Sequence, residues 1–219
     1  MIFAIGQATD ETIYMLILST FWGTLLGLPL GILLYTTRKG QILSSPLINS
    51  VLSFITNIFR SIPFIILIAW IQPFTMITMS LLTGVKTYLG TDAAIVPLSI
   101  GVAPLIARMI ENALLDVPKG LIEAARSMGA TPMQIIKKVL LPESLPLIIN
   151  SMTITLITLT GYIAMVGAIG SGGLGQIAIK FGYTDNKIAI TNVVLIILVI
   201  IVFAIQFIGN SIVKRVTHH

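Results

Sequence analysis

The residues that could carry covalent or metal chemistry in this chain are few and poorly placed for it. There is no cysteine, which excludes thiolate nucleophiles, disulfides and cysteine metal ligands. Histidine occurs only as His218 and His219, at the extreme end, where a disordered terminus and a functional pair are both open readings. An intramembrane enzyme would need a metal-ligand pair such as H-E-x-x-H, or an activated nucleophile with its base, and the chain offers neither. Gly170-Ser171-Gly172-Gly173-Leu174-Gly175 has the letters of a dinucleotide loop. That site requires a preceding strand in a βαβ unit, whereas this stretch follows a long uncharged run and reads as a backbone turn with tight packing. No G-x-x-x-x-G-K-[ST] occurs, so the chain has no P-loop with which to bind ATP.

What remains is the longest charged region, Asp116 to Glu143. Pro118 suits the first turn of a helix, and Gly129 the left-handed position just past its end. Thr131 can cap a second helix, with Pro132 at its first position and Gln134 completing a capping box. Pro142 is expected to stop that second helix. Leu121, Ile122, Ala125 and Met128 fall near one face at helical spacing. Ala124 and Ala125 are small enough for a partner's backbone to approach, and Glu123 sits in the first turn, where the helix dipole favours a carboxylate. Periodicity alone leaves two readings: an amphipathic loop lying on lipid headgroups, and a docking surface for another protein.

The rest of the chain is built to cross a bilayer. Hydrophobic residues make up 56% and charged residues 10%, against about 25% charged in soluble domains. A spanning helix needs about 20 mostly apolar residues, and five segments approach this: 13–36, 48–71, 92–114, 144–168 and 188–212. Residues 72–91 and 169–182 are long enough to dip back into the membrane. Asp10 and Glu11 precede the first run, where a cleaved signal would carry positive charge. Thirteen Lys and Arg stand against eight Asp and Glu, and the cations flank the apolar runs. Orientation in a membrane explains this excess better than nucleic acid does. Arg38-Lys39, the basic residues from Lys119 to Lys138, and Lys214-Arg215 share one side; only Lys86, Lys180 and Lys187 share the other. By the positive-inside rule the N-terminus is outside and the C-terminus cytoplasmic. Gly23, Gly27 and Gly31 recur on one helix face, as close helix packing requires. Prolines at 29, 63, 73, 97, 104 and 146 are expected as kinks.

Arg60 is the one charge expected well inside an apolar run. It faces a cavity, or else the second span begins later and leaves it at the interface. Met165, in the small-residue stretch Gly161 to Gly170, could plug a pore or fill a packing gap. Asn57, Thr155, Thr158, Thr160 and Tyr162 are further candidates for lining a path. With no acid or histidine expected at mid-span, a proton- or sodium-coupled transporter is disfavoured.

The spacing Glu123-Ala124-Ala125, three residues, Gly129, nine residues, Val139, one residue, Leu141-Pro142 resembles the EAA signature of ABC importer permeases, with Val139 the only departure. Asn57 to Phe64, Gly129 to Ile135, Lys138 to Glu143, Gly172 to Ile177 and Ile205-Gln206-Phe207 resemble the methionine importer permeases within that family. The resemblance implies an all-α, five-span bundle of the type I importer class over residues 1–219, with a coupling helix between spans 3 and 4. It also implies a non-catalytic subunit of the bacterial cytoplasmic (inner) membrane that carries methionine, L- and D-. A separate ABC ATPase, in two copies, would use ATP and Mg. Two docking helices per ATPase pair imply a homodimer of this chain. An extracytoplasmic methionine-binding protein and membrane lipid complete the implied partners. The coupling residues implied are Glu123, Ala124, Ala125, Gly129, Val139, Leu141 and Pro142; pore or gate candidates are Arg60, Tyr162 and Met165.

Overall fold

Glycines let the two most intimately packed helices meet. The computed structural model describes residues 2–217, and the terminal histidine pair lies outside them. The first helix, α1 (Ile2–Thr36), lies along α4 (Thr91–Leu115). A Cβ on Gly27 would stand 2.7 Å from the Ala103 carbonyl oxygen, and one on Gly31 2.6 Å from that of Ala107. The expected small-residue face is therefore the α1–α4 contact. Gly27→Leu should force these backbones apart at a cost of about 1–3 kcal/mol, read as a lowered Tm of the detergent-solubilised chain.

The central element is α4. Leu98, Val102, Ile106, Ile110 and Leu114 repeat every four residues and are each at most 1% exposed. Helices α1, α2 (Pro46–Ser61), α3 (Phe64–Thr83) and α7 (Leu141–Ala168) all pack on it. Beyond α7 come the short α8 (Gly173–Ile177), a π-type turn over Ala178–Thr184, and α9 (Ile188–Thr217). This excursion packs on α1, α7 and α9. The carboxylate of Glu11 accepts from the Gly173 N–H at 2.7 Å, and the Thr12 hydroxyl from the Leu174 N–H at 2.9 Å. The glycine-rich stretch is thus a turn tied down by the start of α1. Apolar residues of α9 such as Phe203 and Phe207 are exposed, as lipid-facing positions should be.

Among the described residues, five helical segments are long and apolar enough to cross a membrane: Phe3–Thr36, Phe64–Thr83, Thr91–Leu115, Pro132–Ala168 and Ile188–Thr217. Two expectations need correction. The run 48–71 is not one span. Ile62 is extended (φ −75°, ψ 122°) because the residue before a proline avoids the helical region, and Pro63 starts a new helix. The second span is therefore Phe64–Thr83. Residues 72–83 belong to it rather than to a dip, and the span ends at Gly84 in the left-handed region (φ 74°). The displaced α2 is amphipathic: Leu47, Val51 and Phe54 are exposed, while Asn49 donates to the Leu34 carbonyl at 2.6 Å and anchors the helix on the end of α1.

The second correction concerns Pro142, which does not stop a helix. The chain is helical from Pro132 through Ala168, by way of α6 (Pro132–Ile135) and a π-type turn over Ile136–Leu140. A proline ring collides with the carbonyl four residues back. The wider turn, in which the Leu141 N–H reaches the Ile136 carbonyl, relieves that collision.

Candidate functional site: a docking loop and a polar break in the bundle

The loop after α4 folds as its sequence dictates. Helix α5 (Lys119–Ser127) starts after Pro118, whose φ is −58°. It ends in a Schellman motif: the Ala130 N–H reaches the Ala125 carbonyl (3.1 Å), the Gly129 N–H reaches the Arg126 carbonyl (2.9 Å), and Gly129 has φ +79°. Thr131 and Gln134 form the capping box, with the Thr131 N–H donating to Gln134 Oε1 at 2.8 Å and the Gln134 N–H to Thr131 Oγ1 at 3.4 Å.

The expected four-residue face is divided. Ile122 and Ala125 are 6% and 4% exposed and join the core cluster that holds Leu114, Val117, Ile135, Ile136 and Leu140. Leu121 and Met128 are exposed. Ala125 is therefore small to let α5 lie close on its own bundle, not to admit a partner. The opposite ridge carries Gly120, Glu123, Ala124 and Ser127, all exposed. It presents three small residues and one carboxylate. Val139 and Leu141 are half-buried against the same core cluster, and Pro142 is exposed.

The second site was not foreseen. The third apolar run contains two charges, Arg108 and Glu111, against the expectation that Arg60 is the only intramembrane charge and that no acid lies in a span. Glu111 is 4% exposed. Its carboxylate meets Arg108 Nη1 at 2.6 Å and Arg38 Nη1 at 3.7 Å. Arg108 Nη2 also donates to the Ser53 carbonyl (3.1 Å) and Asn57 Oδ1 (3.0 Å), joining α4 to α2. The pair stands at i, i+3, one of the two spacings that bring side chains together on a helix, and this was the legible signal.

Arg60 lies in the last turn of α2, exposed, just before the Ile62-Pro63 break; the second span does begin later, at Phe64. Arg60 also faces a cavity, indeed two. One, of about 360 Å³, is bordered by Arg38, Asn57, Arg108, Glu111 and Asn112. The other, of about 250 Å³, is bordered by Phe64, Leu67, Gly101, Thr158 and Tyr162. Tyr162 stacks on Phe64, with ring centroids 4.2 Å apart. Thr155 and Thr160 are buried, each donating to a carbonyl of its own helix. Met165 is 46% exposed. Among the described residues, no three His, Cys, Asp or Glu side chains come together as metal ligands.

Residues 27–218 match the family described as the binding-protein-dependent transport system inner membrane component. The chain belongs to this family. The permease is 50% identical over 211 residues to a probable D-methionine transport system permease protein MetI of Vibrio cholerae, covering 96% of this chain and 91% of the relative. It is 56% identical over 167 residues to the D-methionine transport system permease protein MetI of Escherichia coli, covering 76% and 74%. Among solved structures, a native crystal form of the MetNI methionine ABC transporter in inward-facing conformations superposes with a TM-score of 0.93 at 54% identity, covering 99% of this chain and 97% of that one. A crystal structure described as an amino acid ABC transporter with histidines shares the fold at TM-score 0.77 and 20% identity, covering 97% and 94%. The permease thus has the all-helical fold of type I ABC importers and is a multi-pass membrane subunit of such a system.

Proposed function

We propose that this permease forms the path for methionine, L- and D-, across the bacterial cytoplasmic membrane, and that a separate ABC ATPase drives it through the loop 118–142. The observation that carries this is the outward ridge of α5, Gly120, Glu123, Ala124 and Ser127, followed at its C-terminal end by a Schellman motif and then by the capping box that starts the next helix. Ile122 and Ala125 seat α5 on its own bundle, while Leu121 and Met128 stay exposed beside the ridge. The small-residue ridge is suited to seat in a groove.

ATP and Mg would bind the ATPase, and this chain's part is mechanical. Moving a bundle from 1:99 to 99:1 takes about 5.5 kcal/mol of differential binding, which closure of an ATPase pair would deliver to two docked helices. Hence the assembly proposed is two permeases, two ATPase subunits and an extracytoplasmic methionine-binding protein, set in membrane lipid. The start of α1 lies beside α8 and beside Asp92, whose carboxylate accepts from the Tyr14 hydroxyl at 2.9 Å. The basic ends Arg38-Lys39 and Lys214-Arg215 would face the cytoplasm with the loop.

The test is uptake of labelled methionine into proteoliposomes holding the permease, its ATPase and its binding protein. ATP inside should drive accumulation, and omission of ATP should abolish it. Gly129→Val places a β-branched residue at φ +79°, a strongly disfavoured conformation, although nothing lies within 4 Å of the new Cβ. It should lower uptake severely, while Gly129→Asn, which tolerates this region, should retain most of it. Equal uptake by both variants would count against a rigid loop as the coupler.

A further inference from the structure

The two cavities at Arg60 share Leu105 as well as Arg60. Together they follow one face of α4, through Gly101, Leu105, Arg108 and Asn112, at three- or four-residue steps. The smaller is lined by Gly101, near the middle of α4, against which Phe64 and Leu67 pack so closely that a Cβ there would meet the Phe64 ring at 2.9 Å. Its walls combine a stacked aromatic pair with one free cation: among the described residues, Arg60 makes no hydrogen bond or ion pair. Arg108, by contrast, is occupied by Glu111, Ser53 and Asn57.

We propose that this smaller cavity is a binding site for a zwitterionic, apolar amino acid, with the carboxylate on Arg60 and the side chain against Phe64 and Tyr162. The proposal rests on the reading of the permease as an amino-acid importer and deepens it. A guanidinium with nothing bound is matched to a carboxylate, which it can hold in a two-pronged pair. Aromatic faces and edges favour a thioether, whose sulfur is polarisable. The volume of about 250 Å³ lies just below the roughly 300–1,000 Å³ of pockets for drug-sized ligands, which suits an amino acid and not a peptide. The ammonium would meet the C-terminal end of α2, where the last carbonyls of a helix lack partners within it and the dipole favours a cation. The Thr158 hydroxyl, which donates to Ile154, can still accept. No carboxylate lines this cavity. The amine is therefore held loosely, and inversion at the α-carbon is tolerated. The larger cavity, with three arginines against one glutamate, lies next along α4 and would draw the carboxylate toward the basic side of the membrane.

The experiment is photolabelling of the purified permease–ATPase complex, without binding protein, by the diazirine analogues of methionine and leucine. Labelled peptides are mapped on this chain. The expected label falls within 59–67, 101–105 or 158–162, and is displaced by L- and D-methionine but poorly by methioninol, which lacks the carboxylate. Arg60→Gln should weaken labelling about ten- to a hundredfold, the worth of a hydrogen-bonded charge. It should also erase the preference for methionine over methioninol, a change that mere misfolding would not produce; Arg60→Lys should restore part of both. Label elsewhere on the chain, no label at all, or an undiminished Arg60→Gln would overturn the site while leaving methionine transport standing. Label at these peptides that leucine displaces and methionine does not would support the site and overturn methionine as the cargo.

Discussion

Replacing Glu111 with alanine should cost this permease about 3–5 kcal/mol of stability. The carboxylate is 4% exposed and is the only acid among the residues bordering its cavity, facing Arg108 directly and Arg38 at longer range. Without it, Arg108 retains only the Ser53 carbonyl and the Asn57 amide oxygen, neither of them charged. Its Nε is already buried with no partner in the protein. A buried charge stripped of its counter-ion is penalised more heavily than the pair was worth. Thermal unfolding of the purified chain in detergent should show a much lower Tm, and the variant should accumulate poorly in membranes. The double replacement Arg108→Met, Glu111→Met should recover much of the loss, since removing both charges leaves no unpaired ion. An alanine variant that melts with the wild type would show that the cluster does not hold α4, α2 and the end of α1 together.

How far the sequence foretold this structure depended on the range of the interactions. The docking loop was legible because its determinants are local. Gly129, Thr131 and Gln134 act within a few residues of themselves, and each adopts the expected cap. The Gly23-Gly27-Gly31 face was legible because one helix carries its whole pattern. The second span was misplaced by a local rule given too little weight: Pro63 bars Ile62 from the helix, yet the apolar run continues across it without a break in composition. Pro142 misled in the opposite sense, since a π-type turn absorbs a proline that letters alone read as a stop. Arg108 and Glu111 escaped notice because a hydropathy window averages two charges away. Glu11 escaped because its partner, Gly173, is 162 residues distant. The division of α5 into an inner and an outer face required knowing where the bundle lay; periodicity could show that faces exist but not which one is covered.

That division carries the largest functional prediction. Ala124 and Ala125 are neighbours of the same size, and both belong to the resembled signature. Ala125 is 4% exposed against the core, and Ala124 is exposed on the ridge. Tryptophan at 125 overpacks the seat of α5 and should destabilise the chain itself by about 1–3 kcal/mol. Ala124 is exposed, so Ala124→Trp intrudes on no core packing and the stability of the permease should stay within about 0.5 kcal/mol of wild type. A bulky ring on a small-residue ridge would nonetheless hold a partner surface away, and transport should fall to background. One residue type, at adjacent positions, should thus separate folding from coupling.

The most direct measurement is made on Ala124→Trp co-expressed with the ATPase. The purified permease should keep its wild-type Tm and elution volume, fail to retain the ATPase on affinity purification, and give no ATP-driven methionine uptake in proteoliposomes. If the variant retains the ATPase and transports at the wild-type rate, the outward ridge of α5 is not the docking surface.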